Sequence, residues 1–204
     1  MIPDIDAFIR ANTAPTRTPL LPEILLQLAT EVTPLWQATE ETLHRTGLPP
    51  PYWAFAWVGG QAVARHILDH PEIVAGRRVF DFASGSGIVA LAASRAGAAA
   101  VVAAEIDAIA VAAIRLNAAA NGCVIKADGR DLIGDALDGI DIVCAGDVCY
   151  EKPMSDRVMP WLRSLAAAGK TVLLGDPGRA YRPQDGLEEQ IGRASCRERV
   201  YGLV

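Results

Sequence analysis

Arg78-Val79-Phe80-Asp81-Phe82-Ala83-Ser84-Gly85-Ser86-Gly87 is the stretch that decides the fold. An apolar run closes on a carboxylate, and two glycines let the backbone turn and approach a ligand. Ile88-Val89-Ala90-Leu91-Ala92-Ala93 then opens a helix whose free N–H groups face the same point. A strand, a glycine turn and a helix in that order form the nucleotide-type binding unit of an open α/β sheet. Taken alone, Gly85, Gly87 and Ala90 also satisfy the relaxed G-x-G-x-x-A pattern of dinucleotide sites.

Two carboxylates separate these possibilities. Glu105 closes the next apolar run, Ala100-Val101-Val102-Ala103-Ala104, where an acid accepts both hydroxyls of a ribose. Asp81 stands inside the first turn, and a carboxylate there meets a pyrophosphate at short range with like charge. It suits a ligand that carries an ammonium and a sulfonium. The pair selects S-adenosylmethionine over NAD, and the pattern resembles motif I of the seven-strand, class I methyltransferases, with Ala83 where their first glycine lies. Asp81, Ala83, Gly85, Gly87 and Glu105 are therefore the expected cofactor residues.

Composition narrows the function further. A chain of 204 residues with 51% apolar content is long enough for one well-buried domain. A formal net charge of -5 provides no electrostatic footprint for a phosphate backbone, so nucleic acid is not an expected partner. No apolar run reaches the length of a membrane span, and residues 1–10 lack the regions of a signal peptide. The expectation is a cytoplasmic monomer without membrane contact. Cys123, Cys144, Cys149 and Cys196 form no C-x-x-C pair and are expected to be reduced thiols rather than metal ligands.

Upstream of the glycine turn, residues 1–20 suit either a poorly ordered arm or a short docking helix from Asp4 to Asn12. Pro22 opens a helical pattern with Ile24, Leu25, Leu28, Ala29 and Val32 on one face, extended by Trp36 and Leu43, which predicts an N-terminal helical cap. Leu48-Pro49-Pro50-Pro51 breaks it. Tyr52-Trp53-Ala54-Phe55-Ala56-Trp57 then places four aromatics in six residues before Gly59-Gly60. Tyr52, Trp53 and Phe55 suit a hydrophobic plug, whereas Trp57 enters the helix Gly60 to Asp69 and is placed to meet a sulfonium or an amine by cation–π contact. Gln61 has two roles open to it, a bond to the cofactor or a helix cap.

Downstream, helices and strands alternate as a parallel sheet requires. Helices are expected over Ile88 to Ala96, Ala108 to Ala120 and Met154 to Ala168, the last kinked at Pro160. Strands are expected over Ala100 to Ala104, Cys123 to Ala127, Asp141 to Ala145 and Thr171 to Gly175. Asn117 and Asn121 are read as capping and packing residues, with ligand contact as the alternative. Asp128 and Asp131 lie in the loop where class I enzymes usually read the adenine amino group; Asp131 is the better candidate, and a surface carboxylate is its other reading. Asp176 and Arg179 either orient a substrate or lock their own turn.

The segments Pro50 to Gln61, Asp81 to Gly87, Gly146-Asp147-Val148-Cys149-Tyr150 and Gly175-Asp176-Pro177-Gly178-Arg179 together resemble the electron transfer flavoprotein β-subunit lysine methyltransferases. The resemblance spans about residues 20 to 185 and includes D-x-x-Y after the fourth strand, here Asp147 and Tyr150. Ala83 for glycine, Glu105 for the commoner Asp and Val58 for proline are departures. The resemblance implies an α/β fold with a Rossmann-like seven-strand sheet and methyl transfer to a lysine on the flavoprotein β subunit.

A free lysine is about one part in a thousand neutral at pH 7, and only the neutral amine attacks. Asp147 beside the amine raises its pKa, so Asp147 is expected to capture and orient the ammonium, with Tyr150 shaping the channel and the proton leaving to water. A ribosomal-protein or small-molecule acceptor, an NAD-dependent oxidoreductase and a non-catalytic binding module are the alternatives.

The expected organisation is an N-terminal arm and cap over 1–58, the methyltransferase core over 59–190 and a non-native tail over 191–204. Ile191-Gly192-Arg193-Ala194-Ser195-Cys196-Arg197-Glu198-Arg199-Val200 spells the translation of a common sequencing adapter. On that reading the C-terminal antiparallel strand pair of the family is missing, and the fifth strand is left as an exposed edge.

Overall fold

The computed structural model describes residues 4–31 and 50–189, together with the backbone of 199–203. The expectations at Val32, Trp36, Leu43, Leu48, Pro49 and Cys196, and over 191–198, lie outside the described residues. Helix α1 (Ile5–Asn12) is capped by Asp4, whose Oδ1 accepts the Ala7 N–H at 2.9 Å. Strands β1 (Ala14–Thr18) and β2 (Leu21–Leu28) follow as an antiparallel pair with Ala14 opposite Leu28. After a 3₁₀ turn at Tyr52–Ala54 come α2 (Val58–Asp69), β3 (Arg78–Phe82), α3 (Ile88–Arg95), β4 (Ala100–Ala104), α4 (Ala108–Ala120) and β5 (Lys126–Asp128). The chain continues through β6 (Ile142–Gly146), α5 (Lys152–Ala167), β7 (Thr171–Asp176), β8 (Leu187–Glu189) and β9 (Arg199–Leu203).

Seven strands form one sheet in the order β5-β4-β3-β6-β7-β9-β8. β3 is paired in parallel on both sides, with Asp81 beside Ala103 of β4 and Cys144 of β6. Alternation along β3 divides the core. Val79 packs with α2, α3 and the inward residues of β2, whereas Phe80 and Phe82 pack with Val158, Trp161 and Leu162 of α5. Order reverses between β4 and β6 on either side of β3, so the C-terminal end of β3 is the switch point where ligands bind in such sheets.

Two expectations are corrected. The helix predicted from Pro22 is strand β2, in which Ile24, Leu26 and Leu28 are buried with a period of two. Two amides of α4 hold it there. Asn121 Oδ1 accepts the Leu25 N–H at 3.0 Å and its Nδ2 donates to the Leu25 carbonyl at 2.6 Å, while Asn117 Oδ1 accepts the Gln27 N–H at 2.8 Å. A short apolar run fits either period, and these partners, some ninety residues away, settle the matter. The packing role read for both asparagines holds.

The second correction concerns the strand pair expected to be missing. β9 pairs antiparallel with β7, Leu173 opposite Gly202 and Asp176 opposite Arg199, and β8 pairs with β9. Val200-Tyr201-Gly202-Leu203 is itself a β-favouring run at the end of the segment read as a tail. The edge of β7 is covered.

Helix α2 crosses the ends of β6 and β7 at a distance that only glycine permits. A Cβ on Gly175 would lie 2.1 Å from the Gly59 carbonyl oxygen, one on Gly59 would lie 2.3 Å from the Gly175 carbonyl oxygen, and one on Gly146 would lie 2.7 Å from Gly60 Cα. Gly146 and Gly175 are register partners. The contact is backbone on backbone, with no flexible side chain to give way. Gly175→Ala is expected to lower unfolding free energy by roughly 3 kcal/mol or more, measured by urea denaturation. Gly129→Ala, whose added Cβ would rest 3.8 Å from Val111, should stay within about 0.5 kcal/mol.

Candidate functional site

A cavity of about 490 Å³ opens at the C-terminal ends of β3, β4 and β6. Its floor is the glycine turn, which contributes Ala83 and Gly85. Ala83, Gly85 and Gly87 all have positive φ, at 50°, 54° and 83°. That conformation is one glycine adopts without strain, and at Ala83 it is held by an alanine. Gly87 serves the turn without lining the cavity, and a Cβ there would come 3.4 Å from Ile114.

Glu105, at the end of β4, stands beside this turn. Its Oε2 accepts the Gly85 N–H at 3.1 Å and its Oε1 accepts the Ile106 N–H at 2.9 Å. Burial pushes its carboxyl up, and the backbone donors pull it back. A carboxylate has lone pairs left after two such bonds, enough to accept ribose hydroxyls. Together with the turn's left-handed backbone, this passes as a fit for an adenosine-bearing cofactor.

Asp81 departs from expectation. Strand alternation turns its side chain beneath the turn, where Oδ2 accepts the Ser84 hydroxyl at 2.5 Å and the Ala90 N–H at 3.1 Å, and it does not line the cavity. It organises the loop and the start of α3 instead of meeting a cationic ligand directly. Burial pushes its carboxyl up to about 7, against the lowering effect of Ser84 and Ala90. An unfolded chain keeps this group near 3.8, so the fold favours the protonated acid. Its contribution is therefore full below about pH 4 and is lost as pH rises through about 7. Relative to Asp81→Asn, the wild-type chain should lose unfolding free energy over that interval, as read by denaturation at successive pH values.

Asp147 also has a positive φ, 59°. Its Oδ2 accepts the Gly60 N–H at 3.0 Å and caps α2 from another element, while Oδ1 accepts from Arg179 at 2.8 Å. Burial raises its carboxyl, and the Gly60 N–H and Arg179 oppose that. The group expected to hold an ammonium thus already has a partner on each oxygen, although it does line the cavity. Arg179 is fixed in turn. Asp176 Oδ1 accepts the Gly178 and Arg179 N–H groups at 2.7 Å each, which is the turn-locking role.

Tyr150 and Trp57 both face the cavity. Trp57 Nε1 donates to the Tyr52 carbonyl at 2.8 Å, and Gln61 Nε2 donates to the Ala56 carbonyl at 2.7 Å, which ties α2 to the loop before it without capping its free N–H groups. Trp53 is a buried plug, as read. Asp131 lines the far end, where it pairs with Arg157 and accepts the Ile133 N–H at 3.2 Å.

Tyr52, Arg130 and Arg157 also line the site and were not singled out for it from the sequence. Arg130 and Arg157 belong to no local motif. Arg157 on α5 reaches Asp131 from 26 residues away, a tertiary pairing, whereas Arg130 forks onto Asp128 only two residues before it. Cys123, Cys144 and Cys149 are free thiols, the last two buried. Among the described residues no His, Cys, Asp and Glu cluster could hold a metal, and no helix is long and apolar enough to cross a membrane.

The sheet order and the switch-point cavity are those of the class I, S-adenosylmethionine-dependent methyltransferases. Among solved structures the chain is similar to a ribosomal protein L11 methylase from Lactobacillus delbrueckii subsp. bulgaricus, with TM-score 0.55 and 20% identity over 74% of this chain and 80% of that one. It is also similar to the magnesium protoporphyrin IX methyltransferase of Synechocystis PCC 6803 with bound SAM, at TM-score 0.54 and 22% identity over 71% and 79%. The family model for ribosomal protein L11 methyltransferase (PrmA) matches residues 66–145.

Closer relatives narrow the class. Electron transfer flavoprotein beta subunit lysine methyltransferase of Xenopus laevis is 41% identical over 97% of this chain and 83% of that protein, and the Danio rerio protein of the same name is 37% identical over 98% and 81%. The chain belongs to this lysine methyltransferase family, and its cofactor is S-adenosylmethionine.

Proposed function

We propose that the chain methylates lysine amines of the electron transfer flavoprotein beta subunit, with Ala83, Gly85 and Glu105 holding the cofactor and Trp57, Asp147 and Tyr150 forming the acceptor side. The observation that carries this reading is the charge pattern of the cavity. Five carboxylates line it against three arginines, and each arginine is already bound to an aspartate: Arg130 to Asp128, Arg157 to Asp131 and Arg179 to Asp147. Such a lining favours cations over phosphates. A dinucleotide or a nucleic-acid strand would meet no uncommitted guanidinium there. The free thiols support a reducing compartment such as the cytoplasm.

The cofactor, when bound, supplies a methyl group on a positively charged sulfur. What the protein's residues contribute is alignment and exclusion of water, because an in-line displacement at carbon needs little else. Asp147 holds Arg179 and the start of α2 in fixed positions, which sets the wall along which the amine enters. Burial raises the Tyr150 hydroxyl further above its ordinary value, with Glu151 adding to the effect, so it stays a neutral phenol at physiological pH and does not act as the base. The amine loses its proton to water.

The family-model match at residues 66–145 supports the cofactor half and stops before Asp147 and Tyr150, so it does not argue for a ribosomal acceptor. Purified chain, S-adenosylmethionine and recombinant flavoprotein β subunit should give methylated lysine, detected by intact mass and peptide sequencing. Ribosomal protein L11 in its place should give none. Glu105→Ala should weaken cofactor binding by roughly 1 to 3 kcal/mol in calorimetry, through lost hydrogen bonds. Equal affinity in the folded variant would remove Glu105 from the site.

A further inference from the structure

Trp53, Phe80, Phe82 and Trp161 are buried, whereas Tyr52, Trp57 and Tyr150 are 49%, 40% and 41% exposed and converge on one cavity. The Tyr52 ring stands between the other two, its centroid 6.0 Å from Trp57 at an interplanar angle of 64° and 5.8 Å from Tyr150. Its backbone is pinned as well. The Trp57 indole N–H binds the Tyr52 carbonyl, and that carbonyl oxygen lies 4.0 Å from where a Cβ on Gly85 would sit. The ring trio therefore adjoins both the glycine turn and the D-x-x-Y segment, the two ends between which a methyl group has to pass.

Exposed aromatic faces next to carboxylates make a site for a cation. Tyr150 feels the charges of Glu151 and Glu105, and Arg179, which lines the same cavity, is bound to Asp147. We infer that Tyr52, with Trp57 and Tyr150, forms an aromatic cradle for the acceptor ammonium and its methylated forms, and that the Tyr52 ring determines how tightly they are held. The inference rests on the amine-acceptor reading above and adds a specificity-determining residue to it.

A cation–π seat has a consequence for repeated transfer. In each round the amine nitrogen forms one N–C bond while the donor's S–CH₃ bond breaks, its electron pair remaining on sulfur. The product ammonium then sheds a proton to water before its lone pair is available again, until no proton is left. Each added methyl removes a hydrogen-bond donor and makes the ammonium cheaper to desolvate, so a ring cradle holds the methylated amine at least as well as the unmethylated one. The cradle keeps a partly methylated side chain in place for the next round.

The test uses the full chain with S-adenosylhomocysteine and Nε-trimethyl-lysine amide as the probe, followed by calorimetry. Tyr52→Phe, which keeps the ring, should bind the probe as wild type does. Tyr52→Leu, which keeps bulk and loses the π face, should bind about tenfold more weakly with S-adenosylhomocysteine affinity unchanged. On an amine acceptor the Leu variant should show a raised KM and a shift of products toward lower methylation, with the first-round kcat little changed. Wild-type probe affinity in Tyr52→Leu, or no probe binding by the wild-type chain, would overturn the inference. If the flavoprotein subunit is not methylated while Tyr52→Leu still loses the probe, the acceptor assignment fails and the cradle stands.

Discussion

The first turn of α2 lies on the ends of β6 and β7 with no side chain between them, and everything at the mouth of the sheet follows from that contact. Gly59 and Gly60 on the helix meet Gly175 and Gly146 on the strands at distances where a single methyl group would overlap backbone. The helix terminus is thereby brought within reach of Asp147, which accepts the Gly60 N–H and so supplies the cap that Trp57, at the N-cap position, does not provide. Asp147 in turn fixes Arg179. Helix entry, strand end and the loop after β7 are one mechanical unit.

That unit explains how three separated motifs belong together. Gly59-Gly60-Gln61, Gly146-Asp147 and Gly175-Asp176-Pro177-Gly178-Arg179 are distinctive as strings, and in the fold their glycines touch. The aspartate that looks, in sequence, like a substrate ligand is also a structural cap. On the proposed reading the two roles are compatible, because a wall that aligns an amine has to be rigid.

The parts legible in the sequence were those specified by neighbours along the chain. β3, the glycine turn and α3 follow from local period and turn chemistry, and α4 has the bounds its pattern predicts. β2 was not legible, because Ile24-Leu25-Leu26-Gln27-Leu28 carries both periods and its partners are β1 and two asparagines on a distant helix. Asp81 was assigned to the ligand from its position at the strand end, and strand alternation put it beneath the loop. Glu105 and Gly85 were found because both the acid and the turn lie at the ends of consecutive strands. Arg157 was not legible, since an arginine on a helix carries no mark of a partner 26 residues away until the chain is folded, whereas the Arg130 pairing with Asp128 is local. The strand at 199–203 was overlooked because its residues were grouped with the segment before them.

The pair of amides on α4 gives β2 a substitute for a neighbouring strand, and Asn117 does a second thing: its Nδ2 donates to the Ser86 carbonyl at 2.8 Å. One buried side chain thus binds the backbone of the N-terminal hairpin through Oδ1 and the backbone of the glycine turn through Nδ2. Hairpin and turn share a hinge pin. Any change in the turn as a ligand settles on it alters the strength with which Gln27 is held, and loosening of the hairpin frees Ser86 by the same amount, since coupling of this kind is reciprocal. The hairpin lies outside the cofactor cavity, yet the exchange of its amides with solvent would report whether that cavity is filled.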